Sequence, residues 1–275
     1  MLNLPKNVWI LTACLALFMS LSVFMLFVGG IIGSVLAPSK SLSTLPVATI
    51  VVGTAVSIIP AIRLMSIFGR KKVFLGTCLY TILLIGLCIF SIINESFFLF
   101  SFASFCLGGN VAVMQQSSFA AIESVELEQR PLATAIVLLG GLISAYLGTE
   151  IATLGKDYFE TDFAGSFLIL ASLFVIAFIL MCFFKPAEKF KEQINKSTRP
   201  LRNIIKQGSF IVAVCAATTG YVVMSFVMTA TPVSMHVMDG FSLDHTKFVL
   251  QSHVIAMFLP SLFTAYIVKY LGLTG

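Results

Sequence analysis

A chain of 275 residues in which 58% are hydrophobic and 11% charged, with a mean hydropathy of +1.02, is too apolar for a water-soluble domain, where about a quarter of residues carry charge. The formal net charge of +5 sits in short loops between apolar runs, which is not the footprint of a nucleic-acid surface. There are no paired carboxylates at catalytic spacing, no His/Cys cluster, no phosphate-cradling Gly loop and no nucleophile elbow, so an enzyme, a metal and a cofactor are not expected. Six cysteines lie inside the apolar runs without pairing or metal-ligand spacing and read as small buried hydrophobes.

Taken in order, eight apolar runs have the ~20 residues that a ~30 Å hydrocarbon core requires. They fall near 8–36, 46–67, 73–93, 97–121, 132–155, 164–184, 208–237 and 247–270. The first is too long for a cleaved signal peptide. Connections among the first six are short. The segment 185–207 is polar and carries seven Lys or Arg. It divides the chain into a six-span half, 1–184, a basic linker, 185–207, and two further spans, 208–275. With the N-terminus inside, fourteen cations fall on inner segments and three (Lys40, Lys156, Lys247) on outer ones. The bias predicts that both ends of the chain are cytoplasmic.

The loop at 62–72, IRLMSIFGRKK, ends the second span. Gly69 lets the backbone reverse, and Arg70, Lys71 and Lys72 form a block that hydrocarbon will not accept. Here the sequence resembles the major facilitator superfamily, whose loop between spans two and three reads roughly G-x-L-x-D-R-x-G-R-[RK]. Leu64, Gly69, Arg70 and Lys71 match. Ile62, Ser66 and Ile67 replace the first Gly, the Asp and the following Arg. The eighth span echoes the second, with Pro260 and Gly272 in the places of Pro60 and Gly69. The segments QQSSFAAIES, GGLISAYLGTE and QSHVIAMFLPSLFTA are similar to patterns of a bacterial subgroup of twelve-span permeases, some of which import riboflavin. Ser118, Thr149 and Ser252 depart from the usual Arg, Pro and Trp.

The resemblance implies an all-α integral membrane protein of the bacterial inner membrane. Its major facilitator-type bundle would hold a complete six-span N-terminal half and two spans of an incomplete C-terminal half. It implies secondary active transport of a small organic solute by alternating access, with protons as the expected coupling ion. The partners are then a small-molecule substrate and the lipid bilayer, not nucleic acid. Spans nine to twelve of the family pattern are absent, so the alternative is a truncated, transport-inactive permease or a non-transporting scaffold. Substrate, direction of transport and oligomeric state stay open.

Arg63, Gly69, Arg70 and Lys71 are expected to form an inner gate, with Arg130 across the next inner loop. Because Ser66 replaces the loop Asp, Glu123 or Glu126 is expected to supply the anion. Buried amides in lipid need partners, so Asn110, Gln115, Gln116 and Gln251 either line a watery cavity or bond neighbouring spans. Gly140, Ser144 and Gly148 recur every fourth residue on span five and form a stripe for close helix packing. Glu150 is the one carboxylate and His253 the one histidine well inside a span. Each is six positions from an outer boundary, and in the fold that the chain resembles spans five and eight are neighbours, so the resemblance implies that the two face one another, with Gln251 nearby, and carry the coupling proton.

Overall fold

The computed structural model of the protein describes residues 4–186 and 201–259. Within them the chain is helical throughout: α1 (Lys6–Leu36), α2 (Leu45–Phe68), α3 (Arg70–Ile93), α4 (Phe97–Met114), α5 (Ser117–Glu123), α6 (Arg130–Leu138), α7 (Gly140–Leu154), α8 (Ala164–Cys182), α9 (Leu201–Ile205), α10 (Gly208–Pro232) and α11 (Leu243–Phe258). A π-helical turn, Val233–Met238, follows Pro232. Seven stretches among the described residues are long and apolar enough to cross a membrane. The eighth expected span is described only as far as 259, so the division into six and two spans is not fixed by the structure. The Pro260 and Gly272 echo lies outside the described residues.

Two expected single spans are each built from two helices. The run 97–121 breaks at Gln115 and Gln116, where the Gln116 amide turns back to Val113 O at 3.0 Å and tightens the helix. The run 132–155 breaks at Leu139, whose amide is shared between the carbonyls of Ala135 and Ile136. It precedes Gly140-Gly141, the weakest helix formers in the segment. Span three begins at Arg70, three residues earlier than expected, because Gly69 takes φ +83° and lets α2 run directly into α3. That backbone angle would strain any residue with a Cβ.

The core sits around α1, which packs against α7, α8, α6, α4 and α2. Its Phe18 ring stacks on Phe74 at 6.4 Å and meets Phe174 at 5.8 Å, while Phe24 meets Phe167 edge-on at 4.8 Å. Hydrocarbon is as apolar as leucine, so these helices associate through packing rather than through water exclusion. Small residues permit it. A Cβ added at Gly140 or Gly148 would come within 2.7 Å of the Thr12 or Ser20 carbonyl of α1, and Ser144 between them is fully buried. The stripe on α7 is thus the seat of α1. Gly53 and Gly108 do the same for α2 and α4. Outward-facing apolar side chains such as Ile59, Leu83 and Phe98 remain exposed, as a lipid-facing surface requires.

Candidate functional site

Where α10 and α11 lean on the first group of helices, they enclose a cavity of about 380 Å³. Its walls come from α1, α2, α4, α5 and α6 on one side and from α10 and α11 on the other. Five methionines line it (Met19, Met114, Met224, Met228 and Met257), joined by Tyr221 and Phe258. Its polar groups are uncharged: Ser22, Thr54, Gln115, Ser118, Ser225 and Thr229. Among the described residues, no Asp, Glu, Lys, Arg or His is part of the lining. The Ser22 hydroxyl is buried with no hydrogen-bond partner among the described residues. The carbonyl one turn before it, Phe18 O, accepts instead from Asn110 Nδ2 at 3.4 Å.

The cavity sorts the four predicted amides. Gln115 lines it, placed there by the break between α4 and α5. Asn110 does not. It is fully buried and joins three helices, accepting from Thr81 Oγ1 of α3 at 3.4 Å while donating to α1. Gln116 and Gln251 are half-buried and are not part of the cavity wall. The rotation of each helix decides these outcomes, and span position alone does not reveal it.

At the cationic end of the bundle, the Arg70 guanidinium grips Glu123 with Nε to Oε2 at 2.8 Å and Nη2 to Oε1 at 2.6 Å. The pair is 7% and 19% exposed, a dry two-point arrangement that is among the stronger hydrogen-bonded contacts available. It ties α3 to the end of α5. Lys71 Nζ donates to the Cys182 carbonyl at 2.5 Å and ties α3 to α8. Arg63 lies on the exposed side of α2. Arg130 forms no ion pair among the described residues, so Glu123 is held by Arg70 and not across the loop by Arg130. Glu126 is exposed.

The opposite, acidic end carries the loop 155–163 and holds the second ionic cluster. Lys247, on the first turn of α11, meets both oxygens of Glu150 at 3.2 Å and Asp244 at 3.2 Å. Gln251 Nε2 donates to Thr149 Oγ1 at 2.7 Å and to Glu150 Oε1 at 3.4 Å. The expected pairing of Glu150 with His253 is therefore replaced by one with Lys247 and Gln251. Thr246, Leu250 and Val254 form the buried ridge of α11. Gln251 and His253, ~200° apart around the helix, flank it on opposite sides. His253 makes no hydrogen bond among the described residues. Lys247 had counted only as a loop cation. Its i, i+4 spacing to Gln251 was the available signal that the helix starts earlier and carries it.

The chain matches the Major Facilitator Superfamily model over residues 8–274. It belongs to the major facilitator superfamily. Like other members it is a multi-pass membrane transport protein, not an enzyme. It is 34% identical over 276 residues to the riboflavin transporter RfnT of Brucella anthropi, covering 97% of this chain and 68% of that protein. Two uncharacterized MFS-type transporters of Bacillus subtilis, YddS and YdeG, are each 25% identical over 90% of this chain. The chain spans 60% and 61% of their lengths. The methionine-lined cavity and both ionic clusters fall within the region that matches the superfamily.

Proposed function

We propose that this permease carries a neutral, planar, flavin-like solute across the bacterial inner membrane by alternating access, with its cationic end cytoplasmic. The observation that carries the reading is the uncharged, methionine-rich wall of the cavity between the two helix groups. Its volume of about 380 Å³ lies within the ~300–1,000 Å³ of small-molecule sites. Thioether sulfurs against a flat π-system contribute roughly 0.3–1.5 kcal/mol each and adapt to its outline. The free Ser22 hydroxyl and the Gln115 amide supply hydrogen bonds to a heteroaromatic edge. A phosphorylated flavin would bring a dianion to a wall without a cation, a cost of several kcal/mol. The similarity to RfnT, a riboflavin transporter, supports the same solute.

In this reading Arg63, Gly69, Arg70, Lys71, Glu123 and Arg130 belong to the inner gate. The Arg70–Glu123 pair fastens α3 to α5 inside the first helix group, so that group moves as one body. The coupling proton is assigned to Glu150, whose neutralisation would release Lys247; His253 is a separate candidate. The alternative is a transport-inactive permease or a non-transporting scaffold.

The deciding experiment is flavin binding and flux with the purified chain in proteoliposomes. Riboflavin should quench on binding at least ~10-fold more tightly than its phosphate ester. A proton gradient should drive its uptake, and Glu150→Gln should abolish that drive. Equal binding of both flavins would sink the neutral-solute reading. Binding without flux would select the transport-inactive alternative.

A further inference from the structure

The ionic cluster at the acidic end and the cavity wall share one face of one helix. Lys247, Gln251, Val254 and Phe258 are spaced four, three and four residues apart, a single stripe on α11. The first two hold α7 through Glu150 and Thr149, and the last two line the cavity. Phe258 also presses on α7. A Cβ built at Gly141 would stand 2.6 Å from its ring, so the phenyl group fills the gap that Gly141 leaves. Eleven residues of helix, ~16 Å, separate this ring from Lys247.

The same end of the molecule is closed at a second point. A Cβ at Gly30 of α1 would lie 2.7 Å from the Val233 side chain at the π-turn after α10. At the cationic end nothing comparable crosses between the two groups among the described residues. The Arg70–Glu123 and Lys71–Cys182 contacts stay within the first group, and α10 is exposed along its first half. The groups are thus fastened at the acidic end by a half-buried ion pair, Lys247 being 17% and Glu150 34% exposed. A half-buried pair is screened less than an exposed one, so its loss should loosen the contact between the groups.

We propose that Glu150, Thr149, Lys247 and Gln251 form a latch that shuts the cavity at the acidic end. Phe258 connects the state of the latch to the cavity. This rests on the alternating-access reading above, but the latch does not depend on which solute is carried. A ligand that displaces Phe258 from Gly141 tilts the α11 stripe and pulls Lys247 and Gln251 off α7. An empty cavity lets the ring seat and the latch close.

The test is side-specific thiol labelling without any substrate. A Thr229→Cys reporter in the cavity wall is placed in the full chain in membrane vesicles. It is treated with a membrane-impermeant maleimide from either face, and the parent chain's labelling is subtracted. Lys247→Gln should raise labelling from the acidic-end face about fivefold or more, and Lys247→Arg should leave it near the parent value. The reversed pair Glu150→Lys with Lys247→Glu should return it to within about twofold. Phe258→Ala should raise it with the ion-pair residues intact. Unchanged labelling in Lys247→Gln would overturn the latch, and so would a reversed pair that labels as fast as the single variant. Unchanged labelling in Phe258→Ala would overturn the connection to the cavity. Failure of riboflavin to bind, with these labelling results holding, would refute the proposed solute and leave the latch standing.

Discussion

Arg70 and Glu123 were both legible as residues of the cationic end, and their two-point contact follows from a run of local geometry. Gly69 starts α3 at once, so Arg70 lies in its first turn, buried and aimed at the end of α5. What the sequence did not disclose was the choice of partner, because Arg130 is much nearer to Glu123 along the chain than Arg70, which is 53 residues away. Rotation of the short helix α5 decides it. Removing the anion takes the two-point carboxylate contact from a buried guanidinium. Glu123→Gln should therefore lower stability by about 3 kcal/mol, read as a fall in melting temperature of the detergent-solubilised chain. An Arg130→Gln control should change it by less than about 1 kcal/mol. Asn110 teaches a related point. Its burial at mid-span was foreseeable, yet its 3.4 Å bonds to α1 and α3 make it a tie between helices and not a cavity residue.

At the scale of elements, the spans were readable from hydropathy because a bilayer enforces both length and apolarity. The breaks inside spans four and five were not. Gln115-Gln116 contains neither Gly nor Pro, and only packing of α5 onto α1 and α6 rewards a turn there. The glycine stripe of α7 was legible as a packing face, but its partner was not. The periodicity names a face, and tertiary structure names what it meets. Glycines on these helices separate into two kinds that a substitution series should resolve. Gly148→Ala pushes a methyl toward the Ser20 carbonyl, 2.7 Å away, and should cost about 1–3 kcal/mol. Gly76→Ala has open space around it and should be neutral or stabilise by about 0.5–1 kcal/mol. Chemical unfolding of the two variants in the same detergent measures the difference. Similar destabilisation in both would mean that α7 does not pack on α1 as described.

For the whole molecule, the superfamily was legible from the loop motif and the span count, but the cavity was not. Its wall is assembled from α1, α2, α4, α5, α6, α10 and α11, and methionines scattered over most of the chain converge only on folding. No spacing rule gathers Met19, Met114 and Met228. Because that wall lacks charge, a single carboxylate should reshape its selectivity. Met228→Glu should weaken riboflavin binding by about 10-fold or more, and Met228→Leu by less than about threefold. Fluorescence titration reads both. Equal losses in the two variants would point to shape rather than charge as the selective property.

Twenty of the thirty-one residues of α1 are buried, although α1 is made before the helices that bury it. Until those helices arrive, lipid takes their place around it. Its eventual neighbours α7 and α8 follow more than a hundred residues later. Lipid tails and leucine side chains are interchangeable surroundings, so the wait carries little penalty. What changes on completion is geometry: the carbonyls of Thr12 and Ser20 find glycines to lie against, and acyl chains are expelled from around them. Biogenesis of this permease is therefore an exchange of solvent around a helix already in place. The slow event should be the arrival of α7, not the insertion of α1.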